Sequence, residues 1–311
     1  MTQFFQPTCI LDLKATLGEG PVWSARDHAL WFVDIKQKRV HRYAPDTGAH
    51  RTFHAPSEPG FLAPKQHGGF VVGCKTGLFD FDPVTGAFTL LSHVEPGLPT
   101  NRLNDGFVDA KGRLWFGSMD DDEERPTGRL YRYDARGLKV MDADYVITNG
   151  PAISPDGRTL YHNDTLKKHI YAFDLDEAGD IANKRLFAQL DADGPRSNSE
   201  SDSATKNTGA HGEGYMDGPL VDSAGNVWVG LFFGWGVHVY APDGRLIRKV
   251  DLPVSNVTKI AFGGHDLKTV YATTAAKGLS ADDLKQQPLA GGLFSFRSDI
   301  AGQPQGEITF L

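Results

Sequence analysis

Four short stretches of this 311-residue chain set an oxygen-bearing side chain just ahead of a glycine. They are Glu19 in "GEGP", Asn104 in "NDG", Asn149 in "TNGP" and Asp217 in "MDGP". Taken singly, each is a turn former, because Asn and Asp bond to their own backbone and glycine tolerates positive φ. Together they make two carboxylates and two amides, a hard all-oxygen set of formal charge −2. Such a set suits one divalent cation of the Ca²⁺, Mg²⁺ or Mn²⁺ kind, and Fe²⁺ and Zn²⁺ also accept carboxylates. The absence of His and Cys from the set argues against a structural zinc site.

Whether the four can meet depends on the elements that carry them. A unit of short apolar strand, turn and second strand recurs six times, as in "HALWFVDIKQKRVHRYAPDTG", "GGFVVGCKTGLFDFDPVTG" and "GNVWVGLFFGWGVHVYAPDGR". Its central apolar pairs are Leu30-Trp31, Phe70-Val71, Leu114-Trp115, Leu160-Tyr161, Val227-Trp228 and Val270-Tyr271. The spacings are 40, 44, 46, 67 and 43 residues. About 40–50 residues per four-stranded unit is the period of a β-propeller blade. Alternation such as Leu130-Tyr131-Arg132-Tyr133 suits strands with one buried face, and no segment sustains a helical period. The expectation is an all-β, six-bladed β-propeller, one domain over residues 1–311, with a metal site in its central channel.

Counted back from the central pairs, the four polar residues share one phase. Glu19 and Asn149 lie 11 residues ahead of Leu30 and Leu160, and Asn104 and Asp217 lie 10 ahead of Leu114 and Val227. Equivalent positions in a propeller share radius and height, so the four converge on the channel. Blades 2 and 6 break the pattern with Pro59-Gly60 and Lys259-Ile260.

The spacing of 67 has a visible cause. Residues 191–214, "DADGPRSNSESDSATKNTGAHGEG", contain no Val, Ile, Leu, Phe, Tyr, Trp or Met. They cannot bury apolar surface to offset their ordering entropy, so they read as an inserted polar loop. Net charge is −7 with both signs scattered, which excludes a nucleic-acid footprint. No run of 18 apolar residues marks a membrane helix, and the opening MTQFFQPTCI lacks the pattern of a secretory leader. A cytoplasmic monomer is the expectation. Cys9 and Cys74 form no framework, and Cys74 within "FVVGCK" reads as a buried inert thiol. There is no G-x-S-x-G, H-E-x-x-H or Walker-type loop. The acidic run Asp120–Glu124 is expected to follow the inner strand of blade 3, which lets one carboxylate reach a polar ligand.

The motifs "LGEGPVW", "NRLNDG", "GRLWFGSM", "ITNGPAISPDG", "DGPLVDSAGNVWVG" and "LPVSNVTKIAFGG" resemble the regucalcin/gluconolactonase family from about Leu17 to Phe294. Within it the chain is most similar to bacterial pentonolactonases of the D-xylonolactonase kind. The resemblance implies a six-bladed propeller that hydrolyses a sugar lactone with one divalent metal. It implies metal ligation by Glu19, Asn149 and Asp217, with Asn104 nearby or ligating, and sugar contacts from Arg102 and Asn104. Asp122 is its positional match for an acidic substrate contact, with Glu123 the alternative. Asp217 would be both ligand and proton acceptor, since a nearby cation keeps a carboxylate ionised. Two other readings stay open: an organophosphate or aryl-ester hydrolase, and a non-enzymatic calcium-binding propeller.

Overall fold

A computed structural model describes residues 4–190 and 213–311. Its strands form six antiparallel sheets of four, each running from an inner strand to an outer one. The inner strands are Gly18–Ser24, Pro59–Pro64, Asn101–Val108, Thr148–Ile153, Tyr215–Val221 and Val257–Gly263. Each touches the next and the sixth touches the first, so the sheets close into a ring around a channel. Five blades are built from consecutive strands. The sixth is completed by the N-terminal strand Thr8–Leu11, which pairs with Leu293–Arg297. That closure ties the chain's start to its end and leaves the ring without an open seam.

The apolar pairs that set the repeat all lie on second strands, which are almost wholly buried. Their side chains fill the wedges between neighbouring blades: Trp31 packs on Phe53, Phe70 and Phe81 between blades 1 and 2. Outer strands face water, as in Ala49–His54, where Phe53 alone is buried. The large indoles are held by a recurring local device. Asp27, Asp109 and Asp222, in the first turn of blades 1, 3 and 5, accept from the Nε1 of Trp31, Trp115 and Trp228 at 3.1, 2.9 and 2.9 Å. Each tryptophan thereby buries its rings without orphaning its N–H.

Two features were not legible beforehand. Ala281–Gln286 is a six-residue helix with a capping box between Ser280 and Asp283, too short to show a period. The C-terminal segment crosses one end of the channel. The Ala301 carbonyl accepts from Ser223 N at 2.9 Å, Gln303 Nε2 donates to the Ile153 and Val221 carbonyls at 3.1 Å each, and Ile308 N donates to the Pro64 carbonyl at 2.8 Å. Blades 2, 4 and 5 are laced together there, so the cavity described below opens at the other end. The polar stretch 191–214 lies outside the described residues, apart from Glu213 and Gly214. Among the described residues no helix is long and apolar enough to cross a membrane.

Candidate active site at the open end of the channel

The pairing of each inner strand with its neighbour slips at the same place. The slips fall between Glu19 and Val22, Pro59 and Phe61, Leu103 and Gly106, Asn149 and Ala152, Met216 and Pro219, and Val257 and Ile260. A bulge frees a residue from the ladder and re-aims its side chain. Glu19, Asn104, Asn149 and Asp217 all stand at such slips, are buried, and line one cavity of about 290 Å³. That volume is near the lower end of the range for small-molecule sites, about 300–1,000 Å³. Arg102, Thr165, Glu123 and Lys277 share the cavity wall, and Tyr215, Phe232 and Phe233 give it an apolar side.

Hydrogen bonds tie the polar set together. Arg102 Nη1 donates to Asn104 Oδ1, and Asn104 Nδ2 donates to Asn149 Oδ1 at 2.9 Å and to the Thr148 carbonyl at 2.6 Å. Asn149 Nδ2 donates to Thr165 Oγ1 at 2.9 Å, and that hydroxyl donates to the Met216 carbonyl at 3.0 Å. Blades 3, 4 and 5 are thus linked through side chains at the height of the cavity.

The two acids are less comfortable. Burial, then the charge of Asp105, pushes Glu19 up to about 7. Burial, then Glu19 and Asp105, raises Asp217 well above the usual carboxylate range, and the two carboxyl groups lie within hydrogen-bonding reach. Two buried carboxylates in contact favour taking up a proton or a cation between them. Among the described residues no three of His, Cys, Asp and Glu gather as a metal-binding group. The donor set is instead two carboxylates with amide oxygens, chemistry that fits a hard divalent cation.

Blades 2 and 6, which broke the sequence pattern, have physical reasons for doing so. A Cβ at Gly60 would stand 2.4 Å from the Leu103 carbonyl oxygen and 2.5 Å from that of Asn104, so glycine lets blade 3 approach. Blade 6 supplies Lys259, whose ammonium pairs with Asp105 below the cavity, both side chains buried. Gly218 makes room for this pair, since a Cβ there would meet Lys259 Cδ at 2.8 Å and Asp105 Oδ2 at 3.0 Å. Asp105 was missed from sequence. Its signal was adjacency, the second acid-or-amide in "NDG" lying within the same slip.

The acidic run divides its labour. Asp120 is buried and holds its own loop, accepting from Glu124 N at 3.1 Å and Arg125 N at 3.0 Å. Asp121 binds Arg102 Nε at 2.7 Å. Asp122, the positional candidate for substrate contact, does not line the cavity; its side chain is 66% exposed and lies 3.8 Å from Arg125. Glu123 does line it, turned inward by a residue in the left-handed region (φ 62°) and paired with Lys277. Sequence position could not choose between neighbours whose directions depend on that turn.

A family model for the SMP-30/Gluconolactonase/LRE-like region matches residues 17–276. The chain belongs to this family. Among its relatives, a 6-deoxy-6-sulfogluconolactonase of Pseudomonas putida is 34% identical over 296 residues, covering 94% of this chain and 95% of that one. An L-arabinolactonase of Azospirillum brasilense is 34% identical over 305 residues, covering 96% and 93%. The crystal structure of regucalcin from Agrobacterium tumefaciens, described as a calcium-binding protein, superposes with a TM-score of 0.87 at 26% identity, covering 99% of each chain. The whole propeller, closing strand included, is therefore shared.

Proposed function

We propose that this protein hydrolyses a sugar lactone to the aldonic acid with the help of one divalent cation. The observation that carries the reading is the pair of buried, mutually repelling carboxylates, Glu19 and Asp217, beside the Asn149 amide in a blind cavity that also presents Arg102. Lactones of sulfogluconic acid and arabinonic acid appear in the names of the relatives, which supports an aldonolactone as the substrate class.

Glu19, Asn149 and Asp217 would hold the cation. Asn104 is the poorer ligand, because its Oδ1 faces the positive Arg102 guanidinium, whereas Asn149 Oδ1 accepts only from the neutral Asn104 amide and keeps a second lone pair. A bound Ca²⁺, Fe²⁺, Zn²⁺, Mn²⁺ or Mg²⁺ would polarise the lactone carbonyl and lower the pKa of water. Asp217 takes the proton from the attacking water and returns it to the ring oxygen as the ester C–O bond breaks. Arg102 offers a rigid fork of donors to sugar hydroxyls, oriented by Asp121 and Asn104. The aromatic side of the cavity, Tyr215, Phe232 and Phe233, covers the less polar sugar face.

A pH-stat assay on pentono- and gluconolactones tests this directly. Activity should vanish on chelation and return with metal, and added metal should raise the melting temperature of the stripped protein. Asn149→Ala should weaken metal binding while the fold persists. Asp217→Asn should lower kcat about 10²–10⁴-fold at saturating metal, the range of a general-base contribution. Full activity in stripped protein, or a metal-saturated Asp217→Asn enzyme with near wild-type kcat, defeats the assignment. Metal binding with no lactone turned over would favour the calcium-binding reading.

A further inference from the structure

The charges at the open end of the channel balance in number but not in place. Glu19, Asp217 and Asp105 lie towards the floor with Lys259, whereas Lys36, Lys75 and Arg102 meet at the edge formed by blades 1–3 around a single carboxylate, Asp121. Lys36 Nζ and Arg102 Nε reach Asp121 Oδ1 at 2.7 Å each, and Lys75 Nζ lies 3.4 Å from Oδ2. The other nearby acids are engaged: Glu58 lies 3.7 Å from Lys38, and Glu123 pairs with Lys277. Three cations therefore share one anion, leaving two positive charges in excess at this edge.

Holding Arg102 in place does not require that excess. Arg102 is buried, and one carboxylate suffices to balance it. The two lysines add mutual repulsion and remain 28% exposed each, so a second anion can reach them. Burial tends to raise Asp121, yet Arg102 and Lys36 outweigh that and hold it well below the usual carboxylate range, so its charge is already spent on this cluster. Arg102 lines the cavity and its Nη2 has no hydrogen-bond partner among the described residues, whereas Lys36, Lys75 and Asp121 stand behind it, outside the cavity wall, at the rim. An oxyanion with several oxygens would satisfy both ammonium groups and this free N–H₂ at once.

Given the lactonase reading above, on which this step rests, we infer that the substrate carries an anionic substituent, bound by Lys36, Lys75 and Arg102 at the end of the molecule away from the lactone carbonyl. The carbonyl end belongs to Glu19, Asn149 and Asp217, and Asn104 stands between it and Arg102 along the hydrogen-bonded chain. Sulfonate, phosphate and carboxylate share the required chemistry.

The test compares kcat/KM for glucono-δ-lactone with that for its 6-sulfonate, its 6-phosphate and the corresponding 6-carboxylate, in wild type and in Lys36→Gln/Lys75→Gln. At least one charged lactone should be preferred over the neutral parent by about tenfold or more, as expected for new charge-assisted hydrogen bonds. The charged-to-neutral ratio should fall at least about tenfold in the double Gln variant and persist in Lys36→Arg/Lys75→Arg. Which charged lactone leads identifies the substituent. A wild-type ratio near one for all three, or a ratio unchanged by the Gln pair, overturns the inference while leaving lactone hydrolysis intact. Calorimetry with 1,5-anhydroglucitol and its 6-phosphate and 6-sulfonate separates the remaining case. If no lactone is hydrolysed but either charged ligand binds in a manner lost with the Gln pair, the anion subsite stands and the lactonase reading falls.

Discussion

Two ion pairs join blade 3 to blade 6 across the channel, and they do different work. Asp105–Lys259 lies beneath the cavity with side chains 1% and 6% exposed. Glu123–Lys277 spans the rim with side chains 39% and 33% exposed. The lower pair stands on inner strands and is locked by further bonds, since Asp105 accepts from Gly106 N at 2.7 Å and Gly150 N at 2.8 Å. The upper pair stands on loops, in water, between side chains that also line the cavity. A buried charge that loses its partner is stranded, whereas an exposed one is resolvated. The floor pair is therefore part of the scaffold, and the rim pair is free to respond to what enters.

That contrast is open to attack in order of expected effect. Lys259→Gln should cost about 3–5 kcal/mol in metal-stripped protein, read by urea unfolding, because it leaves Asp105 beside Glu19 and Asp217 with no cation. A loss below about 1 kcal/mol would make the floor no different from the rim. Charge reversal sharpens the point. Glu123→Lys/Lys277→Glu should restore wild-type stability and KM, while Asp105→Lys/Lys259→Glu should not, since backbone N–H groups of Gly106 and Gly150 would then face an ammonium. Equal rescue at both levels would refute the distinction. Glu123→Gln alone should change stability by about 1 kcal/mol or less, an effect that shrinks in high salt, and should show instead in KM. The smallest effect is expected from Asp122→Ala, within about 0.5 kcal/mol and with kcat/KM unchanged, because that side chain faces water. A large drop in kcat/KM for Asp122→Ala would mean the rim loop rearranges around substrate.

The repeat was legible because blades are built from local hairpins. Six apolar pairs at a blade-like period mark the second strands, and counting back from them reaches the inner strands at Glu19, Asn104, Asn149 and Asp217, all of which line the cavity. What escaped that counting was contact between distant turns. Asp105 and Lys259 are 154 positions apart and gain meaning only when blades 3 and 6 face each other. Gly60 read as a gap in the pattern until the backbone of blade 3 was found against it.

Composition and periodicity alone determined the all-β ring, the number of blades and the height at which polar side chains gather, because hydrophobic alternation and turn chemistry act over a few residues. Three things were decided only by the closed ring. These are which acid of the run Asp120–Glu124 turns inward, where the C-terminal segment crosses the channel, and which cations meet at Asp121. The last two depend on directions set by neighbours far away in sequence, and the first combines a left-handed backbone at Glu123 with its pairing to Lys277 across the ring. Coulomb forces and close packing act through space, and no local pattern records them.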